Sequence, residues 1–167
     1  MPVLELTELP QSIGPRAPLV GLDLGEKTIG VAVSDVSRTV ASPLELIRKT
    51  KFSDDVARLV QLMESRGAEG IVIGLPLNMD GTEGPRVQSA RAFARNLLRL
   101  KDVPIAFWDE RMSTMAINRM LISEADTTRA RRAELVDKMA AAYILQGALE
   151  RLRSHSSAHP GGSRDPS

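Results

Sequence analysis

The spacing of apolar and polar residues changes period several times along the chain. Leu19-Val-Gly-Leu-Asp-Leu24 is apolar at almost every position, the pattern of a central strand buried on both faces. Gly25 to Thr28 reads as a turn, and Ile29 to Ser34 as a second strand closing a hairpin. Thr39 to Ile47 predicts a third, weaker strand. Phe52 to Arg66 is helical, because Val56, Leu59, Val60 and Met63 recur at helical spacing. Ser53 or Asp54 can cap its start, and Gly67 stops it. Gly70 to Leu75 is another buried strand, followed by a loop from Pro76 to Pro85. Val87, Ala90, Ala94 and Leu97 mark a second helix, and Val103 to Trp108 a fifth strand. A third helix is expected from Met112 to about Ile122. A fourth spans Arg131 to Leu152, with Leu135, Met139, Ala142, Gln146 and Leu149 along one side. The order βββαβαβαα implies an α/β fold, a five-stranded mixed sheet with helices on both faces.

The ends read differently. Residues 1–17 are Pro-spaced and weakly patterned, as in a flexible arm. Residues 153–167 are rich in Ser, Gly and Pro and predict a disordered tail. The folded domain is expected over 18–152. At 43% hydrophobic and 26% charged residues, the composition is that of an ordinary globular domain. The start has no basic, apolar leader pattern and no apolar run is long enough to span a bilayer, so a cytoplasmic, membrane-free protein is expected. The net charge of +1 means that nucleic-acid binding would come from local patches.

Absent residue types narrow the chemistry. There is no Cys, and both histidines, His155 and His159, fall in the tail. Thiolate sites, a cysteine nucleophile and histidine-ligated zinc are thereby disfavoured. Metal chemistry here would use carboxylates, which suit Mg2+ or Mn2+. Asp23 is the first candidate, because a carboxylate inside a buried strand needs a partner. That partner could be Lys27 or an Arg, or the residue could be a metal ligand at the strand's carboxyl end. The segment around Asp23 and Lys27 is no P-loop: Glu26 stands where Gly is required, and a strand rather than a helix follows.

Asp109 and Glu110 close the fifth strand. Ligand crevices lie beyond the carboxyl ends of parallel strands, and strand alternation lets only one of the two face the crevice. Helix-start chemistry is the plain alternative for both. Asp137 precedes the apolar run Met139 to Leu145 and by itself reads as an ordinary solvated helix residue, with a third carboxylate of a metal cluster as the alternative. The loop after Gly74 is Gly- and Pro-rich and leads into a helix, a setting suited to phosphate or to nothing more than a surface connection. Arg91, Arg95 and Arg99 form a basic stripe that is either solvated or tracks a phosphate backbone. With aromatic residues at 3%, shape and phosphate contacts would dominate over base stacking.

Four segments together carry a resemblance. Val20-Gly-Leu-Asp-Leu-Gly-Glu-Lys-Thr-Ile-Gly-Val-Ala-Val-Ser-Asp35, Gly74-Leu-Pro-Leu-Asn-Met-Asp-Gly-Thr-Glu-Gly84, Asp109-Glu-Arg-Met-Ser-Thr114 and Asp137-Lys-Met-Ala-Ala-Ala-Tyr-Ile-Leu-Gln146 are similar to motifs of the YqgF family. These are bacterial RNase H-like proteins related to Holliday-junction resolvases and assigned to pre-16S rRNA cleavage. The resemblance covers about 18–150, in order and with unbroken spacing.

It implies an RNase H-like sheet and a cytoplasmic, divalent-metal-dependent nuclease acting at the 5′ end of pre-16S rRNA. It selects Asp23, Glu110 and Asp137 as catalytic and metal-holding carboxylates for Mg2+ or Mn2+. Lys27, Asn78, Arg91, Arg95 and Arg111 are the candidate substrate contacts. Implied partners are structured RNA, branched DNA and a ribosomal precursor, with the protein a monomer or homodimer. Thr28 stands where many members carry Arg, which removes one potential phosphate contact from the turn. A branched-DNA resolvase and a non-catalytic nucleic-acid-binding module of the same fold are the alternatives. The Asp-Leu-Gly turn is also similar to that of actin-like and sugar-kinase ATPases, but those close two such domains around a nucleotide.

Overall fold

Leu19 to Leu24 can be apolar at almost every position because helices cover both faces of the sheet at that strand. The computed structural model describes residues 3–112 and 129–158, with side chains for 3–111 and 139–155. Its elements are β1 (Val3–Leu4), β2 (Leu19–Leu24), β3 (Thr28–Ser34), β4 (Ala41–Arg48), α1 (Phe52–Arg66), β5 (Gly70–Leu75), α2 (Pro85–Leu100), β6 (Ile105–Asp109) and α3 (Arg129–Ala158). A 3-10 helix, Leu6–Ser12, follows β1, and a short one, Glu110–Met112, follows β6. The helix expected from Met112 to Ile122 lies outside the described residues. Among the described residues no helix is long and apolar enough to cross a membrane.

The sheet runs β1-β6-β5-β2-β3-β4. β1, β6, β5 and β2 are parallel, and β3 and β4 are added antiparallel. The strand–helix alternation after β4 accounts for the parallel part, since parallel neighbours need a crossover. Strand alternation then sorts the side chains. Val20, Leu22, Ile71, Ile73 and Ile105 face α1 and α2, packing on Val56, Leu59, Val87 and Leu97. Leu19, Val72 and Ala106 face α3, meeting Ala141, Ile144, Leu145 and Leu149. The Ala-rich stretch of α3 allows a close approach. A Cβ on Gly21 would lie 2.6 Å from Leu145 Cβ, so only glycine fits under the helix there. Gln146 of α3 accepts from Ala41 N–H at 2.9 Å and donates to Thr39 C=O at 3.1 Å, holding the outer strand's backbone.

The structure corrects the reading of both ends. Residues 3–12 are not a loose arm: Val3 and Leu4 pair with Ile105 and Ala106, and Leu9 is fully buried. β6 would otherwise expose an open backbone edge, and this segment covers it. The sheet therefore has six strands where five were expected. At the other end α3 continues to Ala158, past the expected start of the tail. Helix α1 begins one or two residues before its expected cap: Lys51 is the N-cap, without a side-chain bond, and Asp54 and Asp55 lie in the first turn. Asp55 is buried there, and its carboxylate accepts from Thr50 N–H and Oγ1–H, both at 3.1 Å.

Gly67 ends α1 as the sequence predicts, at φ 69°. A Cβ there would meet nothing within 4 Å. Gly67→Ala therefore costs only the left-handed conformation, and a drop of about 1 kcal/mol in denaturant unfolding is expected. An unchanged midpoint would show that the cap tolerates a side chain.

Candidate active site

β2, β5 and β6 are parallel, so their carboxyl ends meet at one edge of the sheet. Asp23 comes one residue before the end of β2, and Glu110 directly follows β6. On β2, Val20 and Leu22 belong to the α1/α2 face, so Asp23 takes the α3 face. On β6, Ile105 and Phe107 share the α1/α2 face, and Ala106 and Trp108 the α3 face. Glu110 continues the second set. Between the two carboxylates runs β5, whose residue at this level is Gly74. A Cβ on Gly74 would lie 2.7 Å from Glu110 Oε2 and 2.6 Å from Ile144 Cδ1 of α3. Glu110 thus lies over a strand position with no side chain, and that vacancy gives it room on the side of Asp23.

The electrostatics follow from this packing. Burial first and the Asp23 charge second raise the Glu110 pKa, Arg86 opposes the rise and Asp109 adds slightly to it, and together they bring it to about 7. Asp109, the adjacent residue, behaves oppositely. Its carboxylate accepts from Arg111 Nη2–H at 2.6 Å and from Arg111 Nε–H and N–H at 3.0 Å, which holds its pKa below the usual carboxylate range. Two neighbouring acids are therefore separated by the strand's alternation into one neutralised by an arginine and one crowded by another carboxylate.

Asp137 lies on α3, with its side chain outside the described residues. Among the described residues no group of three or more His, Cys, Asp or Glu could hold a metal ion. The donor set of Asp23 and Glu110 nonetheless fits a hard divalent cation, because both ligands are carboxylate oxygens whose mutual repulsion a cation would relieve.

The candidate substrate contacts divide in two. Arg91 is bound by Glu83 at 2.6 Å, with its guanidinium 5.3 Å from the Phe107 ring centre. Arg111 is taken by Asp109 and also donates to Met79 C=O at 3.3 Å, tying down the loop after β5. Asn78 braces the same loop, donating to Thr82 Oγ1 at 2.9 Å. Lys27 and Arg95 are exposed. Two residues were not selected from sequence. Gly74 carried a signal, since glycine inside a buried strand marks a close approach. Arg86, the cation whose charge reaches Glu110, carried none, because only the folded chain brings α2 to the edge of β6.

A model of the family described as RuvX, Holliday junction resolvase, matches residues 17–151. A protein of Phenylobacterium zucineum named "Putative pre-16S rRNA nuclease" is 75% identical over 92% of this chain and 99% of its own length. One of the same name from Caulobacter vibrioides is 68% identical, again over 92% and 99%. Among solved structures, T. thermophilus RuvC in complex with Holliday junction substrate aligns with 81% of this chain and 96% of its own, at 14% identity and a TM-score of 0.48.

Proposed function

This chain belongs to the RuvX family, and from that premise we propose that it is a divalent-metal-dependent nuclease of structured RNA, cleaving at the 5′ end of pre-16S rRNA in the cytoplasm. The observation that carries the reading is the pairing of Asp23 with Glu110 across Gly74 at the carboxyl edge of the sheet. Its fold class is the RNase H-like α/β one. Asp23 and Glu110 would hold Mg2+ or Mn2+, with Asp137 as the third carboxylate from α3. A cation held there supplies Lewis-acid activation of water and neutralises charge at phosphorus. The protein's own part is positional. β2 and β6 fix two carboxylates on one face, and the Asp109–Arg111 pair secures the adjoining loop. Exposed Lys27 and Arg95 remain available to phosphates.

The test is cleavage of a pre-16S transcript and of a four-way DNA junction, each with Mg2+, Mn2+ or EDTA. Divalent-dependent cutting of the RNA is expected. Cutting of the junction alone would favour the DNA resolvase reading, and binding without cutting the non-catalytic one. Activity that persists in EDTA would remove the metal.

Gly74→Ala probes the same geometry. Its Cβ would displace the Glu110 carboxylate, and a misplaced group of this kind costs roughly 10²-fold in rate. A variant that cuts at the normal rate would show that Glu110 need not lie over Gly74.

A further inference from the structure

Beside the carboxylate pair, between the β2–β3 turn and the start of α2, opens a cleft of about 530 Å³. Leu24, Lys49, Pro85, Arg86, Ser89 and Phe93 line most of it. Arg86 belongs to both places. Its charge acts on Glu110, and its Nη2–H donates to Leu24 C=O at 3.3 Å. That bond uses one of the five donors of the guanidinium fork. Lys49 stands on the opposite side of the turn, anchored through its backbone N–H to Lys27 C=O at 2.9 Å. Phe93 is held edge-on by Phe52, with ring centres 5.4 Å apart.

We propose that this cleft binds a backbone phosphate of the nucleic-acid strand next to the scissile bond, held by Arg86 and Lys49, with the adjoining nucleoside against Phe93. The inference rests on the nuclease reading of Asp23 and Glu110. Three points carry it. A strand drawn to a pair of carboxylates is repelled by them and needs cations alongside. Two of the arginines expected from sequence to meet phosphate are engaged elsewhere, Arg91 by Glu83 and Arg111 by Asp109. The cleft also has the volume of a small-ligand site and an apolar wall beside its two cations. Glu26 lies on the rim but is exposed, so water and salt screen it.

The test uses the full chain carrying Glu110→Gln, which silences cleavage and removes the charge that Arg86 faces. Its affinity for a fluorescein-labelled RNA stem-loop with a single-stranded flank is measured by anisotropy over a range of salt. Adding Lys49→Gln and Arg86→Gln is expected to weaken binding about tenfold and to flatten the log K against log salt slope by about one per lost contact. Lys49→Arg with Arg86→Lys, which keeps both charges, should retain the slope. Arg66→Gln, at the far end of α1, should change neither quantity. Parental affinity and slope in the Lys49→Gln/Arg86→Gln protein would overturn the subsite and leave the nuclease reading standing. An equal loss from Arg66→Gln would also overturn it, by showing bulk charge alone. If the Glu110→Gln parent binds neither the RNA nor a DNA junction, the nuclease reading falls and the subsite with it.

Discussion

Glu110→Gln is expected to reduce metal-dependent cleavage by at least ~10²–10³-fold, while Asp109→Asn, one residue away, keeps most of it. The contrast rests on where the two side chains go. Glu110 lies over Gly74 on the α3 face and feels the Asp23 charge. Asp109 is occupied by Arg111, at 2.6 Å. Gln keeps the size and polarity of Glu110 but loses the negative charge that a hard cation requires. Asn at 109 weakens a partly exposed ion pair, worth about 1 kcal/mol or less, and loosens the loop that Arg111 holds. Rates on the pre-16S transcript, with both variants checked by circular dichroism, decide the matter. The reverse ranking would place the working carboxylate on the other face of β6. Equal, mild losses would remove both residues from the site, and Asp23→Asn should then prove harmless too.

The same substitution should stabilise the metal-free protein. Burial and the Asp23 charge raise the Glu110 pKa from 4.5 to about 7. The folded state therefore holds a proton that the unfolded chain has already released between those two values. Wild-type stability falls as pH rises through that window, and the cost is complete above pH 7. Glu110→Gln, which has no charge to bury, escapes it. In EDTA at pH 8 the variant should melt higher by roughly 2–10 °C, corresponding to about 1–3 kcal/mol. The difference should shrink toward zero as pH falls below 4.5, where Glu110 becomes protonated in both states. Adding Mg2+ should raise the wild-type midpoint and leave the variant's nearly unchanged. A variant that melts below wild type at pH 8 would mean that Glu110 is stabilised by Arg86 more than it is strained by Asp23.

Much of this was legible in the residues themselves. Continuous apolar runs marked β2 and β5 because both of their faces are covered. Helical spacing marked α1 and α2, and Gly67 marked the end of α1 because its φ of 69° suits glycine. The alternation of Ile105, Phe107 and Asp109 against Ala106, Trp108 and Glu110 already separated the two acids. Asp23 stood out as a charge in an apolar strand. These signals are local: each depends on a residue's immediate neighbours and on the period of its own element.

Other features depended on contacts between segments far apart in sequence. Val3–Leu4 is too short to show a period, and it becomes a strand because β6 offers it an open edge. Nothing local to Glu110 shows that its room comes from a missing side chain at Gly74, or that Arg86 would face it from another helix. Arg91 and Arg111 read as candidate substrate contacts, and although Glu83 and Asp109 are near them in sequence, it is the folded backbone that turns each carboxylate onto its arginine. The sequence by itself determined β2 to β6, α1 and α2, with their buried faces, and marked Asp23 as a charge in an apolar strand, because those follow from side-chain period and the cost of burying charge. Only the tertiary structure decided which of these groups meet, because proximity between strands and helices is set by sheet order and packing, which no single segment encodes.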